Sequence, residues 1–237
     1  MKIDALLSPA EIQTLPRRDL AETTCVVFDI LRATSSIITA LANGAREIFP
    51  AATIEEALAL RIKWPDAALG GERHGDKIEG FDLGNSPAEY AQNPPARIIT
   101  TTTNGTVALR ACQGAREVLA GALLNMGALV RRVNAQPPRE LLLVCAGTYM
   151  DAALEDAYAA GMLCALLADQ PRTEKAAICK TVYRQYQNDS RGALEDSLNG
   201  QVLVRNRRRE DVRWCARESV YDVVGIMKEG AIRREDV

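Results

Sequence analysis

Four clusters of polar and charged residues, each following an apolar or β-branched run, hold the side chains of this chain that could do chemistry. The first is Asp29-Ile30-Leu31-Arg32-Ala33-Thr34-Ser35-Ser36 and the second Gly70-Gly71-Glu72-Arg73-His74-Gly75-Asp76-Lys77. The third, Thr101-Thr102-Thr103-Asn104-Gly105-Thr106, ends an extended run in hydroxyls and an Asn-Gly turn. The fourth, Gly147-Thr148-Tyr149-Met150-Asp151, leads on to Glu155 and Asp156. Hydroxyls and backbone N–H groups at a strand-to-helix turn cradle an oxyanion, and a glycine there lets the backbone come close. Threonine also favours strands, and threonine or asparagine favours helix caps, so part of the third cluster is structural. The neighbouring clusters add cations at Arg32, Arg73 and Lys77 and carboxylates at Asp29, Glu72, Asp76, Glu79 and Asp82. Carboxylates and oxyanions repel unless a cation lies between them, and Mg²⁺ serves with one or two carboxylates, waters and substrate oxygens. Asp29 is the first candidate ligand. Asp151 and Glu155 share one face of a helix's first turn, where the dipole favours acids, so capping and metal binding both stand as readings of Glu155.

Residue types exclude several familiar chemistries. The Arg73-His74-Gly75 run resembles the histidine phosphatase motif, but that mechanism needs a second histidine and His74 has no companion in the sequence. None of the cysteines at 25, 112, 145, 164, 179 and 215 is followed by arginine at the spacing of a Cys-x5-Arg loop. The Asp-x-Asp-x-Thr pattern of the haloacid dehalogenase type fails because Ile30 and Leu31 follow Asp29. Neither a Walker A pattern nor a Gly-x-Gly-x-x-Gly fingerprint occurs. No Cys-x-x-Cys pair indicates zinc or a disulfide framework, so the cysteines, Cys145 included, are read as small buried side chains in a reducing compartment.

The clusters need a frame. β-branched runs alternating with helical patterns predict βαβ units and a largely parallel sheet. Strands are expected at about 23–29, 46–50, 67–71, 97–102, 116–120 and 140–146, and near 223–227, with helices at about 152–168 and 173–187. Capping boxes are expected at Ser8/Glu11, Thr53/Glu56 and Ser86/Glu89. Gly44 and Gly114 end helices in two similar helix-glycine-strand stretches, 39–48 and 107–118. The Arg-Glu pairs at 46–47, 116–117 and 139–140 read as solvated charge, and 188–211 as a surface excursion. In such a sheet the loops beyond the strands' carboxyl ends gather, which would bring the four clusters to one mouth.

With 47% hydrophobic and 25% charged residues, the 237-residue chain has the composition of a globular domain. One domain is expected over 1–237, with a core at about 20–170 and 171–237 completing it. No stretch approaches the ~20 apolar residues of a membrane span, and no signal peptide is evident, so the expectation is a cytoplasmic protein without a membrane partner. A net charge of -2 gives no general attraction to nucleic acid; the basic run Arg205 to Arg209 is read as a solvated segment.

The blocks VVFDILRATSSIITALANGA, GGERHGDKIEGFDLGNSPAEY, TTTNGTVAL and LLVCAGTYMDAALEDAYAAG, spanning about residues 26–161, resemble those of the 2-phosphosulfolactate phosphatase (ComB) family. The resemblance implies a three-layer α/β/α fold with a mostly parallel, mixed sheet. It also implies Mg²⁺-dependent hydrolysis of (2R)-2-phospho-3-sulfolactate to 3-sulfolactate and phosphate, in the pathway to coenzyme M, and a homodimer. His74 stands where a small residue is expected, and the C-terminal third matches loosely. On this reading Asp29 and Arg32 are catalytic, and Asp29, Glu72 and Glu155 bind Mg²⁺ directly or through water. Thr34, Arg73, Lys77, Thr102, Thr103, Asn104, Gly105 and Thr106 hold the small anionic phosphorylated substrate. Water attack and a transient phospho-Asp29 both remain open. The rival readings are a Mg²⁺-dependent phosphatase for another small phosphorylated acid and a non-catalytic anion-binding protein with Arg205 to Arg209 as its contact surface.

Overall fold

The structure, a computed structural model, describes residues 1–235. Its strands are β1 (Lys2–Leu6), β2 (Thr23–Phe28), β3 (Glu47–Ala51), β4 (Ala68–Arg73), β5 (Asp76–Lys77), β6 (Arg97–Thr101), β7 (Glu117–Gly121), β8 (Glu140–Cys145), β9 (Val224–Lys228) and β10 (Ala231–Glu235). The helices are α1 (Pro9–Ile12), α2 (Ala33–Ala42), α3 (Ile54–Lys63), α4 (Gly105–Ala111), α5 (Met126–Ala135), α6 (Leu154–Leu166), α7 (Glu174–Gln185), α8 (Ser190–Asp196), α9 (Leu198–Arg205) and α10 (Arg209–Cys215).

All the strands join one mixed, mostly parallel sheet in the order β1-β8-β2-β7-β9-β10-β3-β6-β4-β5. Buried side chains on its two faces form separate large clusters, one holding Phe28, Leu143 and Tyr158 and the other Val27, Ile38 and Leu109. That is the three-layer α/β/α arrangement. Successive residues of a strand point to opposite faces, so the fully buried run of β2 feeds both layers. Gly44 at φ 115° and Gly114 at φ 99° end α2 and α4 in the left-handed region, as the paired helix-glycine-strand stretches predict.

Parallel pairing is not continuous. The antiparallel hairpin β9-β10 sits between a parallel half, β1-β8-β2-β7, and a second one, β3-β6-β4. A single registered pair, Ile232 with Ile48, links the hairpin to β3. The halves therefore run in opposite senses, but a twist of about 20–25° per strand accumulates over the steps from β2 to β6 and turns them well away from simple opposition. Their carboxyl-end loops meet, as the contacts below establish.

The C-terminal segment differs from its expected form. Residues 188–211 are not an excursion: α8 and α9 bury Ala193, Leu194 and Leu203 in the core, and α10 adds Val212 and Cys215. Asp189 and Ser197 cap the first two by accepting the Gly192 and Gly200 N–H groups at 2.8 and 3.0 Å. The Arg-Glu pairs are also more than solvated charge. Glu47 is gripped by Arg97 and Arg233, which hold its carboxyl below the usual range, and Glu117 pairs with the buried Arg132. The Ser8/Glu11 box is incomplete, because the Ser8 side chain makes no cap bond while Glu11 accepts the Leu7 N–H at 2.7 Å. All the cysteines are free and buried. Among the described residues no helix is long and apolar enough to cross a membrane.

Candidate active site

Asp29 follows β2 directly and sits on the wall of a cavity of about 280 Å³. That volume is near the lower bound, about 300 Å³, of ordinary small-molecule pockets. The start of α2 fixes the carboxylate, since the Ala33 N–H donates to Asp29 Oδ1 at 3.0 Å. Gly105, the first residue of α4 after β6, closes on it from the other half of the sheet: a Cβ there would strike Asp29 Oδ2 and lie 2.6 Å from the Ala33 Cβ. Glycine is needed at 105 for this approach, and the contact unites the first and third clusters.

Glu72, at the end of β4, ties the second cluster to the third. Its Oε1 accepts the Thr103 N–H at 2.8 Å and its Oε2 the Gly75 N–H at 2.7 Å. Asn104 reaches the fourth, donating to the carbonyls of Ala146 at 3.0 Å and Tyr149 at 3.2 Å. Asp156, unassigned by the sequence reading, braces the loops after β2 and β8 by accepting the Ile30 N–H at 2.8 Å and the Gly147 N–H at 3.0 Å. The rings of His74 and Tyr149 stand 6.3 Å apart, both on the cavity wall.

Thr103, Asn104, Glu72, Arg32 and Asp29 line the cavity, whereas several other candidates lie behind it. Thr102 and Thr106 cap each other: the Thr102 N–H donates to Thr106 Oγ1 at 3.0 Å and the Thr106 N–H to Thr102 Oγ1 at 3.1 Å. Fully buried Thr34 uses its hydroxyl on the Asp29 backbone. Arg73 turns to Thr101 Oγ1 at 2.9 Å and to the Glu72 carbonyl. Exposed Lys77 points to the Asp82 carbonyl at 3.4 Å, away from the lining. Glu155, 1% exposed, stands behind Asn199, whose amide donates to Glu155 Oε1 at 2.8 Å and Thr148 Oγ1 at 2.7 Å.

Arg32 is also buried, and its charge is already matched. Its guanidinium pairs with Asp211 from α10 and donates to the Gly75 carbonyl at 2.8 Å, while Ser86 Oγ holds the other Asp211 oxygen at 2.6 Å. Asp211, Asn199 and the apolar wall of Leu198, Val202 and Leu203 all come from the segment read as surface. The caps at Asp189 and Ser197 were the sequence signal for helices there.

With Arg32 so engaged, the acids are under-compensated. Burial pushes the Asp29 carboxyl up from 3.8 to about 7, Glu72 and Glu155 add to the rise, and the Ala33 N–H and Arg32 only partly offset it. Burial likewise raises Glu155, and raises Asp156 further with help from the charges of Glu155 and Asp29. Among the described residues no three His, Cys, Asp or Glu side chains form a ready metal cage. Mg²⁺ needs none, because it takes one or two carboxylates and completes its shell with water and substrate oxygens. A cation-poor acidic pocket of oxygen donors fits that ion better than a thiolate or imidazole metal.

The chain matches the model of the family described as 2-phosphosulpholactate phosphatase over residues 10–230. A protein of Carboxydothermus hydrogenoformans, named probable 2-phosphosulfolactate phosphatase, is 38% identical over 98% of this chain and 96% of its own length. Proteins of the same name from Caldanaerobacter subterraneus and Deinococcus radiodurans are 37% and 40% identical, covering 91% and 86% of this chain and 92% and 88% of their own. The convergence of Asp29, Glu72 and the Thr103–Gly105 turn thus belongs to a member of the 2-phosphosulpholactate phosphatase family, which are phosphoric monoester hydrolases.

Proposed function

We propose that the protein hydrolyses (2R)-2-phospho-3-sulfolactate to 3-sulfolactate and phosphate with the help of Mg²⁺, a step of the coenzyme M type. The observation that carries this reading is the Asp29 carboxylate, held on the wall of a small cavity at a carboxyl-end junction and abutted by Gly105. Membership of the 2-phosphosulpholactate phosphatase family supports this choice of substrate.

Asp29 and Glu72 would hold the ion, with Glu155 acting through water or Asn199; when bound, Mg²⁺ supplies charge neutralisation between the acids and the ester oxygens. The chain's own residues do the rest. Arg32 presents positive charge at the wall, where charge on the transferring phosphoryl oxygens is stabilised by a group whose position is already fixed by Asp211. Thr103 and Asn104 offer a hydroxyl and an amide to hold the substrate's anionic ends. Thr102, Thr106 and Thr34 keep the two turns in shape, and Asp156 locks the loops after β2 and β8 together. Without a metal, burial holds the Asp29 carboxyl at about 7; a bound cation would favour its ionised form, which suits proton acceptance from an attacking water and also suits direct attack by the carboxylate.

The test is phosphate release from racemic phosphosulfolactate and from a panel of small phosphorylated acids, with Mg²⁺ and with a chelator. Metal-dependent release that is fastest for phosphosulfolactate is the expected result. Release from another acid alone would reassign the substrate, and none in either condition would leave an anion-binding protein.

A further inference from the structure

We propose that Arg208 is a specificity-determining residue, whose guanidinium takes the anionic group of the substrate remote from the phosphate and so favours a sulfonated over an unsulfonated phospho-acid. The proposal rests on the phosphatase reading above and names a selectivity that reading leaves unassigned.

Charge on the cavity wall motivates it. Among the described residues lining the cavity, Arg32 is the single permanent cation, set against Asp29 and Glu72. Arg73 and Lys77 lie off the wall. A substrate bearing phosphate, sulfonate and carboxylate therefore meets too little positive charge, even with a divalent ion between the acids and the ester.

Arg208 also stands outside the lining, but it is bonded to one of the lining residues. It sits in the turn between α9 and α10, and α9 itself provides Leu198, Asn199, Val202 and Leu203 to the wall. From that turn its guanidinium reaches across to the carbonyl of the lining residue Gly75, the same oxygen that accepts Arg32 Nη2 at 2.8 Å. Two guanidinium groups thus converge on one carbonyl at the cavity edge. Their partners differ sharply. Arg32 and Asp211 are both buried, with side chains 5% and 9% exposed, so separating them is costly. Arg208 Nη2 instead holds Asp76 Oδ1 at 2.7 Å, and the Asp76 side chain is 77% exposed. Such an exposed pair is weak and easily exchanged for another anion. A planar guanidinium fork suits the paired oxygens of a sulfonate or carboxylate.

The experiment compares kcat/KM for 2-phospho-3-sulfolactate and for 2-phospholactate, which lacks the sulfonate, in the unsubstituted enzyme, Arg208→Ala, Arg208→Lys and Asp76→Asn. In Arg208→Ala the ratio should fall roughly 10- to 100-fold, chiefly through KM, the range of a lost hydrogen bond to a charged group. Arg208→Lys, which keeps charge without the fork, should fall between. Asp76→Asn removes the resting partner but keeps the guanidinium, so its ratio should stay at or above the unsubstituted value. An equal loss for both substrates in Arg208→Ala, or an Asp76→Asn ratio as low as that of Arg208→Ala, would assign Arg208 to holding the α9–α10 turn and overturn the proposal. If the unsubstituted enzyme hydrolyses neither compound, the assignment of phosphosulfolactate as its substrate falls and takes this proposal with it. If it hydrolyses both at a ratio indifferent to residue 208, only this proposal falls.

Discussion

Replacing Asp29 by asparagine should abolish activity and, in the absence of metal, stabilise the fold above neutral pH. The reason is the cost of keeping that carboxylate ionised where it is. Its pKa stands at about 7 in the folded protein against an ordinary 3.8. Between those values the native state holds a proton that the unfolded chain has released. Stability present below pH 3.8 is therefore lost progressively as the pH rises to about 7, by an amount of order 4 kcal/mol at 1.36 kcal/mol per pKa unit. Asparagine preserves the acceptor for the Ala33 N–H and cannot ionise. The stability advantage of Asp29→Asn over the unsubstituted chain should thus grow by about 2 to 3 kcal/mol between pH 5 and pH 8. Part of that growth passes through Asp156, whose carboxyl the Asp29 charge also pushes up, so the difference between the two proteins reads Asp29 together with its buried acidic neighbour. Urea denaturation at the two pH values in the presence of a chelator measures it. Activity of the variant with Mg²⁺ should fall by at least about 10³-fold. A pH-independent difference, or steady hydrolysis by Asp29→Asn, would refute the reasoning.

Four further outcomes follow from the same geometry. Gly105→Ala drives a methyl into the Asp29 carboxylate and the Ala33 Cβ; kcat should drop about 100-fold with circular dichroism unchanged, since small displacements of a reactive group have effects of that size. Asp211→Ala strands the buried Arg32 charge and should destabilise the protein by roughly 3–5 kcal/mol in denaturant titration, whereas Asp211→Glu should recover part of the loss. Thr106→Ala breaks the reciprocal cap with Thr102 and should cost about 1 kcal/mol of stability while changing KM less than Thr103→Ala does. Mg²⁺ at 100 times its dissociation constant should raise stability at pH 8 by about 2.7 kcal/mol, read from the thermal midpoint, and should do far less for Asp29→Asn.

Local patterns made much of the frame legible. The apolar run of β2 and the similar run of β8 are bounded by turns and find their partners by burial alone, so their positions fall within a residue or two of expectation. Gly44 and Gly114 announce helix ends because only a residue without Cβ takes their φ cheaply. By contrast, β1 is five residues at the sheet edge whose partner β8 lies more than 130 residues away, and no local signal declares that pairing. The β9-β10 hairpin is similarly defined by where it inserts, between β7 and β3. The segment 188–211 reads as polar because its helices are short and show few apolar side chains; their burial depends on α6 and the rest of the core being in place.

At the site, sequence reasoning found the clusters but could not divide their members between wall and support. Thr103 and Thr106 are chemically alike, yet one lines the cavity and the other spends its hydroxyl on a cap. Arg32 and Arg73 differ only in their neighbours, Asp211 for one and Thr101 for the other. Asp211 carried no local signal, and Arg208 read only as part of the basic run Arg205 to Arg209, because their tertiary contacts with Arg32 and Gly75 lie far away in the chain.

The most direct test of the account is anomalous diffraction from crystals soaked with Mn²⁺, in place of Mg²⁺, and 3-sulfolactate. The account predicts an anomalous peak at coordination distance, about 2.0–2.2 Å, from an oxygen of Asp29, with the organic acid between it and the Thr103–Asn104 turn. A peak coordinated elsewhere, with Asp29 and Glu72 free of it, would contradict the account.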